Sequence, residues 1–195
     1  TMVLALVIGD LHIGQRASDL PARFKSLISP GRVQYILSTG NLSGAKTHDF
    51  LKNIAPSAQI VRGEFDEAPS LPERKVVQIG MWKIGLVHGH QIAPWGDVDA
   101  LTGELRELDC DILITGNTHE LAVVESDGRF IINPGSATGA FEGSTPREGH
   151  KPSFVLMDIS DSKLSLYIYR LGVESSEAPD GYAVSMLQFS KHVEE

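Results

Sequence analysis

Cysteine is nearly absent: Cys110 stands alone among 195 residues. A lone thiol excludes an internal disulfide and fits a reducing, cytosolic setting. Long apolar runs are missing too. None approaches the ~20 residues that a helical membrane span requires. The opening stretch TMVLALVIGDLH is apolar, yet short for a secretion signal and without a basic leader, so a first core strand is expected there. Positive charge is in deficit, with 17 Lys and Arg against 25 Asp and Glu, a net −8. That balance argues against a nucleic-acid backbone as partner, which needs clustered cations. It argues equally against direct attraction to anionic lipid. No repeat, low-complexity tract or linker divides the chain, and its length suits one domain over residues 1–195 with a well-buried core.

What is present is an alternation of short apolar runs with helical periodicity. VLALVIG (3–9), VQYIL (33–37) and AQIVRG (58–63) read as strands. Between them lie LPARFKSLI (20–28), with Pro21 near its start, and THDFLKNIA (47–55), with Thr47 as expected cap. This rhythm predicts a parallel sheet with crossover helices. In the second half, KVVQI (75–79) and WKIGLVHG (82–89) flank Gly80-Met81, and LAVVES (121–126) and RFIIN (129–133) flank Asp127-Gly128. Both pairs predict hairpins. A helix is expected over 97–108, with Val98, Leu101, Leu105 and Leu108 on one side, and a buried strand over DILITG (111–116). Residues 139–152 read as a polar Gly/Pro loop, and strands follow at 153–159, 163–170 and 181–190. The fold class expected is α/β, with the strands in two layers.

The reactive side chains gather at strand ends. Asp10 and His12 follow the first strand, Asn41 the second, Glu64 and Asp66 the third, His88 and His90 the fifth, Asn117 and His119 the sixth. In sheets of this kind ligands sit outside the carboxyl ends of the strands, so these segments converge. Gly9, Gly40, Gly63, Gly89 and Gly116 mark the turns. Taken singly, Asp10 could cap a helix and Asn41 could stabilise a turn. His48, His150 and His192 are read as surface or supporting residues. Five strand-end segments of one character point to a site.

Those segments read GDLH (9–12), TGNL (39–42), RGEFDE (62–67), HGH (88–90) and GNTHE (116–120). Their order resembles the signature of the calcineurin-like metallophosphoesterases over the first two-thirds of the chain. A closer resemblance covers nearly all of it: GDLHI, TGNL, FDE, KIGLVHGHQ, PWGD, DILITGNTH, INPGSATGA and PSFVLMDI are similar to the small-subunit family of the endosomal retromer complex. The resemblance implies a metallophosphoesterase fold, a two-layer β-sandwich flanked by helices.

It also implies a two-cation site. The first cation would take Asp10, His12, His119 and the bridging Asn41; the second would take Asn41, Glu64, His88 and Asn117. Such chemistry uses two divalent ions about 3.5–4 Å apart to polarise a phosphate and activate a water. Three positions depart from the active pattern. Asn41 replaces a bridging aspartate, and Asn117 replaces a ligand histidine with an amide that transition metals bind more weakly. Phe65 replaces the histidine that would protonate the leaving oxygen or hold the phosphate; a positioned general acid typically contributes ~10²–10⁴-fold. Glu64, standing where active members carry a neutral Asn, would keep two carboxylates at the site. The expectation is a vestigial centre with weak or partial occupancy by Mn, Zn or Mg, more at the first position. No cofactor is required and no residue is catalytic.

Attention then moves to surfaces. In KLSLYIYR, Leu164, Leu166 and Ile168 alternate with Ser165, Tyr167 and Tyr169; in SFVLMDI, Val155, Met157 and Ile159 alternate with Phe154, Leu156 and Asp158. If these strands pair, Leu156, Tyr167 and Tyr169 form an outward apolar patch, unless a helix covers that face. The resemblance implies a regulator pocket there, completed by Leu4 and Leu27, which receives a Rab GTPase-activating protein and bacterial effectors. It implies that Ile92, Ala93 and Trp95, on the metal-site side, dock onto the large α-solenoid retromer subunit. The implied role is a non-catalytic scaffold in endosomal cargo retrieval and retrograde transport. Such a chain would be cytoplasmic and peripheral on endosomes through its complex. The competing reading is a divalent-metal phosphoesterase with weak residual activity; a nuclease is disfavoured by the −8 charge.

Overall fold

The computed structural model describes residues 2–143, 150–172 and 182–191. Two sheets face each other. The first is built from β1 (Met2–Ile8), β2 (Tyr35–Ser38), β3 (Ser57–Ile60), β9 (Ser153–Ser160), β10 (Lys163–Leu171) and β11 (Tyr182–Ser190). The second holds β4 (Arg74–Ile79), β5 (Trp82–Val87), β6 (Ile112–Ile114), β7 (Leu121–Ser126) and β8 (Arg129–Pro134). Strand order is β11-β10-β9-β1-β2-β3 in one and β4-β5-β6-β8-β7 in the other.

The expected parallel unit is there: β1 pairs β2 and β2 pairs β3 in parallel. It extends into a mixed sheet, because β9 pairs antiparallel with the other side of β1. Both expected hairpins form, β4 with β5 and β7 with β8. Asp127 and Gly128 both have positive φ, 54° and 70°, as a two-residue hairpin turn demands.

Alternation along each strand decides which layer a side chain enters. Ala5, Val7, Val155, Met157, Ile159, Leu164 and Leu166 of the first sheet meet Ile84, Leu86, Ile112, Ile114, Phe130 and Ile132 of the second. The other face of the first sheet, with Leu6, Ile8, Ile36 and Phe154, packs under α1 (Ala22–Leu27) and α2 (Ala45–Ile54). The outer face of the second carries α3 (Val98–Glu107) over Val87, Leu113 and Ile131. The result is the two-layer sandwich flanked by helices that the sequence led us to expect.

Two local expectations need correction. Thr47 is not a cap: α2 begins at Ala45 with Gly44 as N-cap, and Thr47 is buried within its first turn. The preceding residues are already held in place by Asp66, so the helix starts earlier. Val98 is 40% exposed rather than packed, because it opens α3 at the rim while Leu101 and Leu105 face the sheet. Asp97 supplies the cap there, accepting the Ala100 N–H at 2.9 Å.

Candidate metal centre

The carboxyl ends of β1, β2, β5 and β6 open at one mouth of the sandwich, and four turns bring their residues together. The turns are stitched by backbone bonds: Asp10 N–H to the Gly40 carbonyl at 3.0 Å, His12 N–H to that of Asn41 at 2.8 Å, and Gly116 N–H to that of His88 at 2.8 Å. Five of the expected ligands sit in the left-handed region, with φ of 49° at Asp10, 45° at His12, 53° at Asn41, 71° at Asn117 and 58° at His119. Such conformations cost about 1 kcal/mol or more each in non-glycine residues. Their concentration at one place is the mark of a built site. Space is equally tight. A Cβ on Gly116 would come within 2.8 Å of Asp10 Oδ2, and one on Gly63 would collide with the Asn41 amide.

Asp10, His12, Asn41, His88, Asn117 and His119 are all buried. Lone pairs converge among them. His119 Nδ1–H donates to the Ala140 carbonyl at 2.7 Å, which leaves Nε2 unprotonated. His12 Nδ1 lies 3.4 Å from Gln15 Oε1. The two Nε2 atoms lie 3.2 Å apart. Asp10 Oδ1 is buried without a hydrogen-bond partner among the described residues, 3.7 Å from His119 Nε2. One ligand atom from each of Asp10, His12 and His119 falls within 4.8 Å of the others. Three ligand atoms this close together suit a divalent cation, and two imidazoles with a carboxylate suit zinc. This orphaned geometry is the test the first-cation residues pass.

Electrostatics favour a metal at the imidazoles and oppose it at the carboxyl, whose proton an ion would have to displace. Burial pushes the Asp10 carboxyl up to about 8, against the Asn117 backbone N–H and the Asn41 amide. Burial also lowers His12 to about 4, helped by His119 and Arg16, and His119 to about 4. His88 falls to about 3 for the same reason, although the Thr39 carbonyl opposes it. The rings are therefore neutral, the form that binds metal.

The second half of the site is arranged differently. His88 Nδ1–H donates to the Thr39 carbonyl at 2.7 Å, and its Nε2 accepts from Asn41 Nδ2 at 2.9 Å. Asn41 Oδ1 in turn accepts the Phe65 N–H at 3.0 Å, which fixes the orientation of the amide. Asn117 contributes its backbone N–H to Asp10 Oδ2 at 3.0 Å, while its buried side-chain Nδ2 finds no partner among the described residues. Glu64 is a correction. It is exposed on the 64–65 turn and does not join the ligand group. The carboxylate that turns inward is Asp66. It accepts N–H bonds from Asn41, Leu42, Ser43 and Gly63 at 2.7–3.1 Å, and this tie leaves Glu64 on the outside. Burial works to raise Asp66, but His48 and those N–H groups outweigh it and hold the carboxyl below its usual range.

Several supporting residues escaped the sequence. Ser136 and Thr138 hydroxyls donate to the carbonyls of Asp10 and Leu11, 2.7 and 2.8 Å away. They belong to INPGSATGA, whose Gly and hydroxyl content was the available signal. Phe65 lies edge-on to His12, ring centroids 5.5 Å apart, and the Arg16 guanidinium covers Phe65 at 4.8 Å. His48 is buried 3.8 Å from Asp66, and the His150 ring packs 6.1 Å from His119; His192 lies outside the described residues.

The docking residues are divided. Trp95 is 51% exposed and Ala93 is exposed, but Ile92 is buried with Leu101 and Leu105. Ile92 is thus corrected from a surface contact to a core residue: the 89–92 turn, closed by Ile92 N–H to Gly89 carbonyl, directs it under α3. On the far side, β9 and β10 do pair, opposing Leu156 to Tyr167 and Phe154 to Tyr169. A helix covers part of that face, since Phe24 of α1 meets Phe154 edge-on at 4.6 Å. Beyond it Leu4, Leu27, Leu156 and Tyr169 line one cavity of about 160 Å³. Tyr167 is half-buried and lines no part of that cavity.

Comparison with known proteins follows the same lines. Residues 2–162 match the calcineurin-like phosphoesterase superfamily domain. The chain is 42% identical over 171 residues to vacuolar protein sorting-associated protein 29 of Schizosaccharomyces pombe, covering 87% of this chain and 91% of that one. Its structure superposes on vacuolar protein sorting 29 from Cryptosporidium parvum with a TM-score of 0.89 at 44% identity, over 97% and 99% of the two chains. It is also similar to wild-type Vps29 from Entamoeba histolytica complexed with Zn²⁺, with a TM-score of 0.83 at 44% identity, over 96% and 98%.

Proposed function

Because the chain belongs to the Vps29 family within the calcineurin-like phosphoesterase superfamily, we propose that it is a non-catalytic scaffold subunit of retromer. It binds the large α-solenoid subunit beside the metal centre and regulators in the opposite apolar cavity. It works in endosomal cargo retrieval and retrograde transport, and it reaches endosomes through the complex. Among the described residues no helix is long and apolar enough to cross a membrane.

One observation carries the non-catalytic half. Phe65, which the resemblance puts where active members carry a histidine, lies edge-on to His12 and under the Arg16 guanidinium. A phenyl ring there neither gives nor takes a proton. The scaffold half is supported by two separate surfaces. Ala93 and Trp95 stand exposed on the metal side, and the Leu4–Leu27–Leu156–Tyr169 cavity lies on the outer face of the first sheet.

The competing reading, a weak phosphoesterase, has one observation in its favour: Asp10, His12 and His119 retain cation-binding geometry. The two readings separate in one preparation. Purified chain, loaded with Mn²⁺ or Zn²⁺, is assayed on bis(p-nitrophenyl) phosphate and presented to the carboxy-terminal half of the large subunit. The scaffold reading expects capture of the large subunit and no turnover above that of Asp10→Ala. Turnover abolished by Asp10→Ala, with no capture, overturns it.

A further inference from the structure

We infer that two copies of this chain associate edge to edge through β11, joining their first sheets into one continuous sheet across a two-fold axis at Met186. The inference goes beyond the scaffold role and does not depend on it. β11 contributes no residue to the metal centre or to the Leu4–Leu27–Leu156–Tyr169 cavity.

It rests on what guards each sheet edge. An edge strand offers a row of unpaired backbone N–H and C=O groups, and proteins shield such rows by short length or by charge. The two sheets have four edge strands, β11, β3, β4 and β7. β3 is four residues long, β4 opens on Arg74 and Lys75, and β7 carries Glu125. β11 has neither shield. It is nine residues long, and YAVSMLQFS holds no charged side chain. Lys191, just beyond it, is turned away to Asp111 and to the Met81 carbonyl, at 2.7 and 3.0 Å. One side of β11 pairs with β10 along its whole length; the other side has no partner strand among the described residues. Its apolar surface is open as well. Val184, Met186 and Leu187 are 46%, 53% and 39% exposed, and among the described residues no other helix or strand exposes more than one large hydrophobic side chain.

The occupant is a strand, because only another backbone matches that row of groups, and a second β11 fits by symmetry. A two-fold axis perpendicular to the sheet opposes residues of equal parity, so each face of the strand meets the same face of its copy. Full overlap of residues 182–190 sets Met186 against its own copy, Val184 against Gln188 and Ser185 against Leu187. With no charge in the strand, the axis brings no like charges together. Both faces gain. Val184 and Met186 stand on the outer face, beside Tyr169 and Tyr167 in the ladder. Ala183, Ser185 and Leu187 turn the other way, into an open groove of about 360 Å³ that they share with Leu121 and Val123 of β7. Pairing takes Val184, Met186 and Leu187 out of water, apolar surface that the single chain leaves exposed.

The test is the oligomeric state of the purified chain. Sedimentation velocity over about 1–100 µM, where modest interfaces associate, is expected to show a reversible monomer–dimer equilibrium. Met186→Lys sets two cations face to face on the axis and should weaken the dimer at least about tenfold. Met186 is exposed, so the variant keeps its fold, which circular dichroism verifies. Met186→Cys should form an intermolecular disulfide under mild oxidation, since directly opposed residues of an antiparallel pair lie within disulfide reach. Val76→Cys, exposed on β4, should stay monomeric, and the native Cys110 is buried. A parent that is monomeric at every concentration would overturn the inference and leave the edge to an extended segment of a different chain. A dimer that Met186→Lys leaves intact, or a Val76→Cys variant that links as readily as Met186→Cys, would overturn it too.

Discussion

His12 Nε2 and His119 Nε2 meet at 3.2 Å, with the His119 Nδ1–H committed to the Ala140 carbonyl. Residues 107 positions apart thus place two ring nitrogens beside the buried Asp10 Oδ1, which has no hydrogen-bond partner among the described residues, a deficit that a cation would relieve. Zn²⁺ is therefore expected to raise the melting temperature of the parent and not that of Asp10→Ala. Thermal melts with and without the ion check this. A binding-linked gain of ~2.7 kcal/mol is expected at a free ion concentration one hundred times Kd.

The same centre sets a pH dependence. His12, His88 and His119 protonate near 4, 3 and 4 in the fold, against 6.5 when free. Below about 6.5 the unfolded chain binds more protons, so their contribution is full at neutral pH and is lost as pH falls toward 3. Asp10 runs the other way. Raised from 3.8 to about 8 by burial, it contributes fully below 3.8 and loses that contribution as pH rises through about 8. Metal-free stability should peak near neutrality. A cation favours ionised Asp10, so the thermal shift from Zn²⁺ should be larger at pH 8 than at pH 6. An equal or smaller shift at pH 8 would contradict the assignment.

Asp66 is the structural key of the turn. Four backbone N–H groups converge on its carboxylate, whose side chain is fully buried. Charge-assisted bonds contribute ~1.5–3 kcal/mol each, but they share one acceptor and are not additive. Asp66→Asn is expected to cost about 2–4 kcal/mol in urea unfolding. The cost should exceed that of Glu64→Gln, which should stay within about 0.5 kcal/mol.

The far cavity and the metal side should act independently. Leu27→Asp places a charge in the cavity lined by Leu4, Leu156 and Tyr169. It should weaken binding of a Rab GTPase-activating protein fragment at least about tenfold, the effect of ~1.4 kcal/mol. Affinity for the large subunit should stay within about twofold. Calorimetry against each partner checks both halves, with Tyr169→Phe as a control that keeps the stack on Phe154.

Much of this was legible in the sequence, and for identifiable reasons. The period of two in β9 and β10 sorts Val155, Met157, Leu164 and Leu166 into the core regardless of neighbours. Asp127-Gly128 announces its hairpin through local backbone chemistry. The strand-end positions of Asp10, Asn41, His88 and Asn117 follow from the same pattern. What escaped was side-chain direction inside turns. Whether Glu64 or Asp66 points inward depends on N–H groups some 25 residues away in the 41–43 turn. Ile92 and Ala93 are adjacent, and only the packing of α3 decides that Ile92 is buried. The antiparallel insertion of β9 beside β1 was equally hidden, because periodicity gives a strand's faces and not its partners.

The most direct measurement is the affinity of the chain for the carboxy-terminal half of the large retromer subunit, compared among the parent, Ala93→Asp and Trp95→Ala. Both substitutions fall at exposed positions, so folding is retained and circular dichroism verifies it. The scaffold account predicts tight binding by the parent, lost in Ala93→Asp and reduced in Trp95→Ala. A folded parent that does not bind, or an Ala93→Asp variant that binds as the parent does, would contradict it.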